Sequence, residues 1–294
     1  MANLVLTLDD PESDVGRGRR FLTEVSVVLR SRVALIGLAV IAFWVLVAIF
    51  APLIAPHEPL AQDASAMNQG PSALYPLGTD HLGRDVLSRL VHGSRTILVL
   101  APLAVLCSVA LGTILGLSAG YLGGLMDEVV MRVLDAIMAF PTILLYLIII
   151  SAIGPSAVNV VIAITFVGAP GAARLVRSLT LDICTREYIH AAETRGEHPL
   201  YIMFVEILPN ARGPLIVDSM LQVGYAVFAI GTLGFLGLGL PPPNPDWGRM
   251  ISEARSFIWT YPLGMLWPAV AISSLVVALN LFADGLREET TRYQ

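Results

Sequence analysis

The chain has 294 residues, 55% of them hydrophobic and 14% charged, with a formal net charge of −5. Soluble domains carry about 25% charged residues, so the deficit describes a chain whose main solvent is lipid. All 18 basic residues are arginine; with no lysine to reach nucleotide phosphates, a P-loop ATP site is excluded.

Taken in chain order, Met1–Asp14 is acidic and lacks the basic-then-apolar order of a signal peptide, so the first apolar run is expected to remain as a helix. Residues 1–32 read as a tail whose second half, Ser13–Arg32, mixes basic and apolar residues like an interfacial helix. Crossing a membrane takes roughly 20 apolar residues. Val33–Ile54 meets that requirement and is the first predicted span. Residues 55–95 form a long loop-like segment whose second half, Gly83–Arg95, shows helical spacing of Val86, Leu87, Leu90 and Val91 and is expected to lie along the membrane face. Thr96–Gly120 is the second span. The 38 uncharged residues between Asp135 and Arg174 are too many for one helix, and Gly154-Pro155 divides them into spans near 129–153 and 157–176. Pro214–Leu236 and Leu263–Ala283 complete six. The expected architecture is an all-α polytopic membrane protein, with residues 96–294 carrying spans two to six.

Six spans place both termini on one side, and arginine bias chooses the side. With the N-terminus inside, thirteen arginines are internal (17, 19, 20, 30, 32, 132, 174, 177, 186, 195, 212, 287 and 292) and five are external (84, 89, 95, 249 and 255). Both termini are therefore expected on the cytoplasmic side. Trp259, Tyr261 and Trp267 would mark the outer interface at the start of span six.

The loop 181–210 then falls inside. Thr185 is a candidate cap for a helix starting at Glu187, and Gly196 suits a left-handed stop. Pro199 suits the first turn of a second short helix, Leu200–Ile207, which Pro209 would end. Ala191, Ala192 and Gly196 would form a small-residue surface, with Tyr188 and Ile189 as apolar knobs beside it. An interfacial hairpin that merely joins two spans is the plainer reading of this pattern.

Other polar residues have structural readings. Asp135 is placed to pair with Arg132 on one helix. Asp218, at the start of span five, is a functional candidate as an intramembrane acid, with a helix-terminal charge solvated at the interface as the favoured reading. Asn280 and Asp284 suit interhelical hydrogen bonds. His57, His81 and His92 are too dispersed for a metal site, and Cys107 and Cys184 are not expected to pair. The proline-rich 241–247 run stiffens a loop, as a gate or as a connector.

EYIHAAETRGEHPLYIMFVEILPN (187–210) resembles the EAA loop of permease subunits in binding-protein-dependent ABC importers. Ala191, Ala192, Gly196, Ile207, Leu208 and Pro209 match that pattern, while His190 stands where it has its first glutamate. LGTDHLGRDVLSRLVHGSRTIL (77–98), AGYLGGLMDEVVMRVLDAIMAFPTILL (119–145), GFLGLGLPPPNPDWGRMISEAR (234–255) and ALNLFADGLRE (278–288) are similar to the second permease subunit of the dipeptide, oligopeptide and nickel branch. The tail Glu289-Thr290-Thr291 departs from that branch.

The resemblance implies a type I importer permease fold and a non-catalytic role as half of a pathway for a small solute, foremost a di- or oligopeptide. It implies a second permease subunit, two ATPase subunits or domains that hold the ATP and magnesium, and an extracytoplasmic binding protein. No cofactor or metal is expected on this chain. Glu187, Tyr188, Ile189, His190, Ala191, Ala192 and Gly196 would form the coupling helix, with Leu208 and Pro209 passing motion to span five. Asp80, Arg84 and Asp85 are either a salt-bridge group or part of the binding-protein docking surface. A secondary transporter or channel working without ATP is the alternative; against it stand the lack of internal repeats and the scarcity of mid-span ionisable residues.

Overall fold

A computed structural model describes residues 31–292. The expected interfacial helix at Ser13–Arg32 lies almost wholly outside them. Helix α1, Arg32–Ile49, is capped by Ser31, whose hydroxyl accepts from the Ala34 amide. A single turn, Ala51–Ile54, with Pro52 in its first positions, follows it. After an irregular stretch, α2 runs unbroken from Val86 to Leu122, 37 residues or about 55 Å. The membrane-face helix and the second span expected separately are thus one element. Its arginines do not interrupt it because they find partners: Arg89 pairs with Asp80 and Glu253, and Arg95 donates to the Ala48 and Ile49 carbonyls at the end of α1.

The third span departs most from expectation. It is two helices, α3 (Gly124–Met138) and α4 (Thr142–Ile153), meeting at 92°. Pro141 has no N–H to continue the ladder and pushes Phe140 away from helical backbone angles, so the chain turns at Phe140-Pro141. Helix α5, Ala157–Ile183, passes through Pro170 without a break and extends seven residues past its expected end at 176. Helix α6 spans Glu187–Thr194, and α7 is continuous over Pro199–Phe235. Helix α8 (Trp247–Ala254) and α9 (Leu263–Arg292) complete the described chain. Five helices are long and apolar enough to cross a membrane, and the bent α3–α4 pair supplies a sixth crossing if it counts as one span.

Two helix seams organise the bundle, both on small residues. Along α2, Gly112, Gly116 and Gly120 lie against α5: a Cβ at Gly112 would fall 2.7 Å from the Ala169 carbonyl oxygen, and one at Gly116 would fall 2.5 Å from that of Ala173. Without a hydrophobic driving force in lipid, such close backbone approach is what holds helices together. The second seam joins α1 to α9, where a Cβ at Gly37 would meet the Ala278 carbonyl oxygen at 2.5 Å and one at Gly285 would meet Ala34 at 2.6 Å. The start of α1 and the last turns of α9 therefore lie side by side.

A large core through the bundle includes Trp44, Ile97, Ile150, Ile230, Trp247 and Leu275. A smaller one joins Leu117, Val176, Ile189, Ile202, Ile207 and Leu215 at the end that carries α6. Large apolar residues stay exposed around the bundle, with Leu53 82%, Leu125 76% and Tyr225 72% accessible. Lipid and partner chains, not water, are the environment that suits such a surface.

Candidate functional site

Helix α6 is docked by one face. Ile189 and Ala192, three residues apart and so on the same side, are both fully buried. They pack into the small core with Ile202, Met203 and Ile207 from the start of α7. Glu187, Tyr188, His190 and Ala191 face outward. The expected small-residue surface is thus divided: Ala191 and Gly196 are exposed, whereas Ala192 turns into the chain, and Ile189 is an anchor rather than a knob. Thr185 does not cap the helix; its hydroxyl donates to the Asp182 carbonyl and Arg186 holds the cap position without a side-chain bond.

The stop is as expected. Gly196 has φ +76, and the Glu197 amide reaches back to the Ala192 carbonyl while the Gly196 amide reaches that of Glu193. These paired bonds close the helix in the manner that favours glycine at this position. Beyond it, His198 caps α7, its Nδ1 accepting from the Leu200 amide. Pro209 does not end a second short helix. The preceding residues Ile202–Ile207 are π-helical, and the Leu208 amide donates five residues back to the Met203 carbonyl. The wider winding carries the helix past a proline that cannot donate, so Leu208 and Pro209 sit inside one rod that begins beside α6 and ends at Phe235.

Midway along that rod is a cavity of about 290 Å³, to which α2, α3, α4, α5 and α7 all contribute. Asp218, Gln222, Ser108, Thr142 and Tyr225 supply its polar atoms. Asp218 is therefore not a charge at a helix start. Because α7 begins at Pro199, Asp218 lies five turns inside it, and Gln222 Nε2 donates to its Oδ2 at 2.6 Å. An apolar cavity of about 330 Å³ adjoins it, sharing Thr142, Tyr146 and Tyr225 and adding Ile143, Phe228 and Leu233.

At the opposite end of the bundle, charged residues form a lattice. Arg84 joins Asp80 and Glu253 at 2.7 Å each, Arg89 joins the same two carboxylates, and Arg249 Nε reaches Glu253 at 2.9 Å. Asp85 is 1% exposed and caps α2, accepting from the amide and hydroxyl of Ser88. Of Asp80, Arg84 and Asp85, the first two join the salt-bridge lattice, whereas Asp85 stands apart from it as a buried cap. Asp80, His81 and Glu253 bring ligand atoms within 4.8 Å of one another. The guanidiniums of Arg84 and Arg89 already occupy both carboxylates, which disfavours a cation there. Asp246 caps α8 through Gly248 and Arg249, which fixes the end of the 241–247 run beside the buried Trp247. Tyr261 is buried, and its hydroxyl donates to the Leu77 carbonyl. Asp135 pairs across helices with Arg174 in place of Arg132.

Residues 112–288, more than half of the chain, match the model of the binding-protein-dependent transport system inner membrane component. The chain belongs to this family. Residues 27–71 match the N-terminal transmembrane domain of oligopeptide transport permease C. The dipeptide transport system permease DppC of Haemophilus influenzae is 40% identical over 265 residues, covering 88% of this chain and 90% of the relative. The nickel transport system permease NikC of Escherichia coli K12 is 38% identical, covering 86% and 91%. The glutathione transport system permease GsiD of Pectobacterium atrosepticum is 38% identical, covering 92% and 88%. Among solved structures, an inward-facing form of the MetNI methionine ABC transporter aligns with a TM-score of 0.56 at 19% identity, covering 69% of this chain and 95% of that one; that likeness shows the shared permease fold.

As an inner-membrane permease of this family, the chain has features that reading by residue type missed. The Gly112, Gly116 and Gly120 repeat was visible as glycine every fourth residue in an apolar run. The bend at Pro141 was visible as a proline inside a supposed span. The cavity around Asp218 was not visible, because its lining comes from five helices.

Proposed function

We propose that this permease forms half of a transport pathway and is driven through α6 by ATPase partners. The carrying observation is the split of α6 into a buried anchor face (Ile189, Ala192) and an open face (Glu187, Tyr188, His190, Ala191). A helix held this way moves with the start of α7, and α7 is one rod from Pro199 to the cavity at Asp218. Docking of an ATPase groove on the open face would tilt that rod and change access to the cavity. The arginine excess at the α6 end supports a cytoplasmic position for it and for both termini. ATP and magnesium then belong to the ATPase chains, a second permease closes the pathway, and a binding protein delivers the solute at the α8 end. The names of the dipeptide and di/tripeptide relatives support a short peptide as that solute.

The test replaces Ala191 with arginine on the open face and Gly196 with proline at the hinge. The assembled importer is reconstituted in vesicles with L-alanyl-L-alanine as solute. Both variants are expected to insert and assemble but to lose ATP-driven uptake and solute-stimulated hydrolysis. Uptake at the unaltered rate in Ala191→Arg would overturn the coupling role.

A further inference from the structure

The geometry points to the cavity around Asp218 as a subsite for a cationic group, the protonated amine of the transported solute, with Asp218 as counter-charge. The inference rests on the reading that this chain lines a transport pathway.

Among the described residues, Asp218 is the one carboxylate in the cavity lining. The nearest comparison is α3, where Asp127 pairs with Arg177 and Asp135 with Arg174 across helices. Asp218 has no salt bridge among the described residues, and its hydrogen-bond partner is the neutral amide of Gln222. Asp218 is half-buried on the cavity wall, and a carboxylate that lies within a membrane span without a cation is a candidate for a solute or ion path.

Ser108 supplies the independent observation. Its side chain is 1% exposed, it lines the same cavity, and its hydroxyl has no hydrogen-bond partner. Gly168 makes room for it, since a Cβ there would stand 2.6 Å from Ser108 Oγ. A buried hydroxyl left without a partner marks a place where a hydrogen-bonding group is missing, and its lone pairs can accept from an N–H.

The donor set selects the ligand. One carboxylate, hydroxyls and an amide, with no histidine or cysteine in the lining, are too few anionic or soft groups to hold a divalent metal. They suit an ammonium, whose three N–H groups need acceptors converging from different sides. The rings of Tyr146 and Tyr225 flank the space, and aromatic faces attract the same group. The adjoining apolar cavity accepts an uncharged side chain attached to that amine.

The test uses the full chain in membrane vesicles with Cys107 and Cys184 changed to serine and Thr142→Cys placed in the cavity wall. The thiol is expected to react about tenfold faster with 2-aminoethyl methanethiosulfonate than with the 2-sulfonatoethyl reagent, and Asp218→Asn should abolish that preference. In the assembled importer, Asp218→Asn should lower L-alanyl-L-alanine uptake at least tenfold, whereas Asp218→Glu retains it. Equal reagent rates with Asp218 present, or unaltered uptake in Asp218→Asn, would overturn the subsite. Protection of the thiol by nickel but not by the dipeptide would do so as well, by assigning the charge to a metal. If the unaltered importer does not move the dipeptide, the peptide reading fails, and the reagent preference still decides the cation subsite.

Discussion

Trp247 donates its indole N–H to the Leu90 carbonyl at 2.8 Å, across 157 positions of sequence. The ring is fully buried, stands edge-on to Trp44 at 4.8 Å, and fills the space that a Cβ at Gly93 would need. One side chain thereby fixes α8 to both α2 and α1. Trp247→Ala is expected to cost about 3–5 kcal/mol, from a cavity that rigid helices cannot refill. Trp247→Phe keeps most of the volume, loses the hydrogen bond, and should cost less than half as much. Thermal stability of the solubilised protein, followed by size-exclusion chromatography after heating, checks the order.

The lattice beside it is pH-sensitive only at the acid end. Burial alone would raise the Glu253 carboxyl, but Arg89, the hydrogen bond from Arg249 and Arg84 outweigh it and draw it down from 4.5 to about 2. A depressed carboxylate stabilises the fold above its unfolded pKa, and that stability is lost as pH falls through its folded value. Protection of the α8 amides in hydrogen exchange should stay level from pH 7 to 5 and fall between pH 4 and 2. The effect is roughly 3 kcal/mol at full size. Glu253→Gln should remove the acid-dependent step and leave lower protection throughout.

The α2–α5 seam should tolerate no side chain. Gly116→Val would push a Cβ toward the Ala173 carbonyl oxygen at 2.5 Å, where backbone rather than a flexible tip must yield. Loss of about 3 kcal/mol or more is expected, seen as a collapse in folded protein recovered from membranes. Gly213→Ala on α7, where nothing lies within 4 Å of the added carbon, should stabilise by up to about 1 kcal/mol.

The buried face of α6 gives a result opposite in kind to its open face. Ala192→Leu forces three extra carbons into a site with no exposure, costing about 1–3 kcal/mol locally. Protease cleavage near Gly196 should rise while the spanning helices remain intact. Ala191→Leu, on the open face, should leave cleavage unchanged.

Much of the fold was legible in residue order. Long uncharged runs marked the five spanning helices and the bent α3–α4 pair, and Gly196 marked the stop of α6, because span length and left-handed backbone are properties of short segments. The errors were of two kinds. Pro141 and the glycines of α2 carried local signals that were passed over. Arg132 against Arg174 as the partner of Asp135 could not be decided locally: the nearer residue in sequence lost to one brought in by helix packing.

Residue order alone places this chain in a membrane with several crossings, excludes a P-loop and marks a polar loop that carries Gly196. Hydrophobic length, the missing lysine and glycine stereochemistry are read without knowing any neighbour. Packing between helices is what makes Ile189 and Ala192 anchors, carries the rod from Pro199 unbroken past Pro209 and sets Asp218 in a cavity with Ser108. Those facts depend on which helix face meets which, and a face is assigned only when another helix covers it.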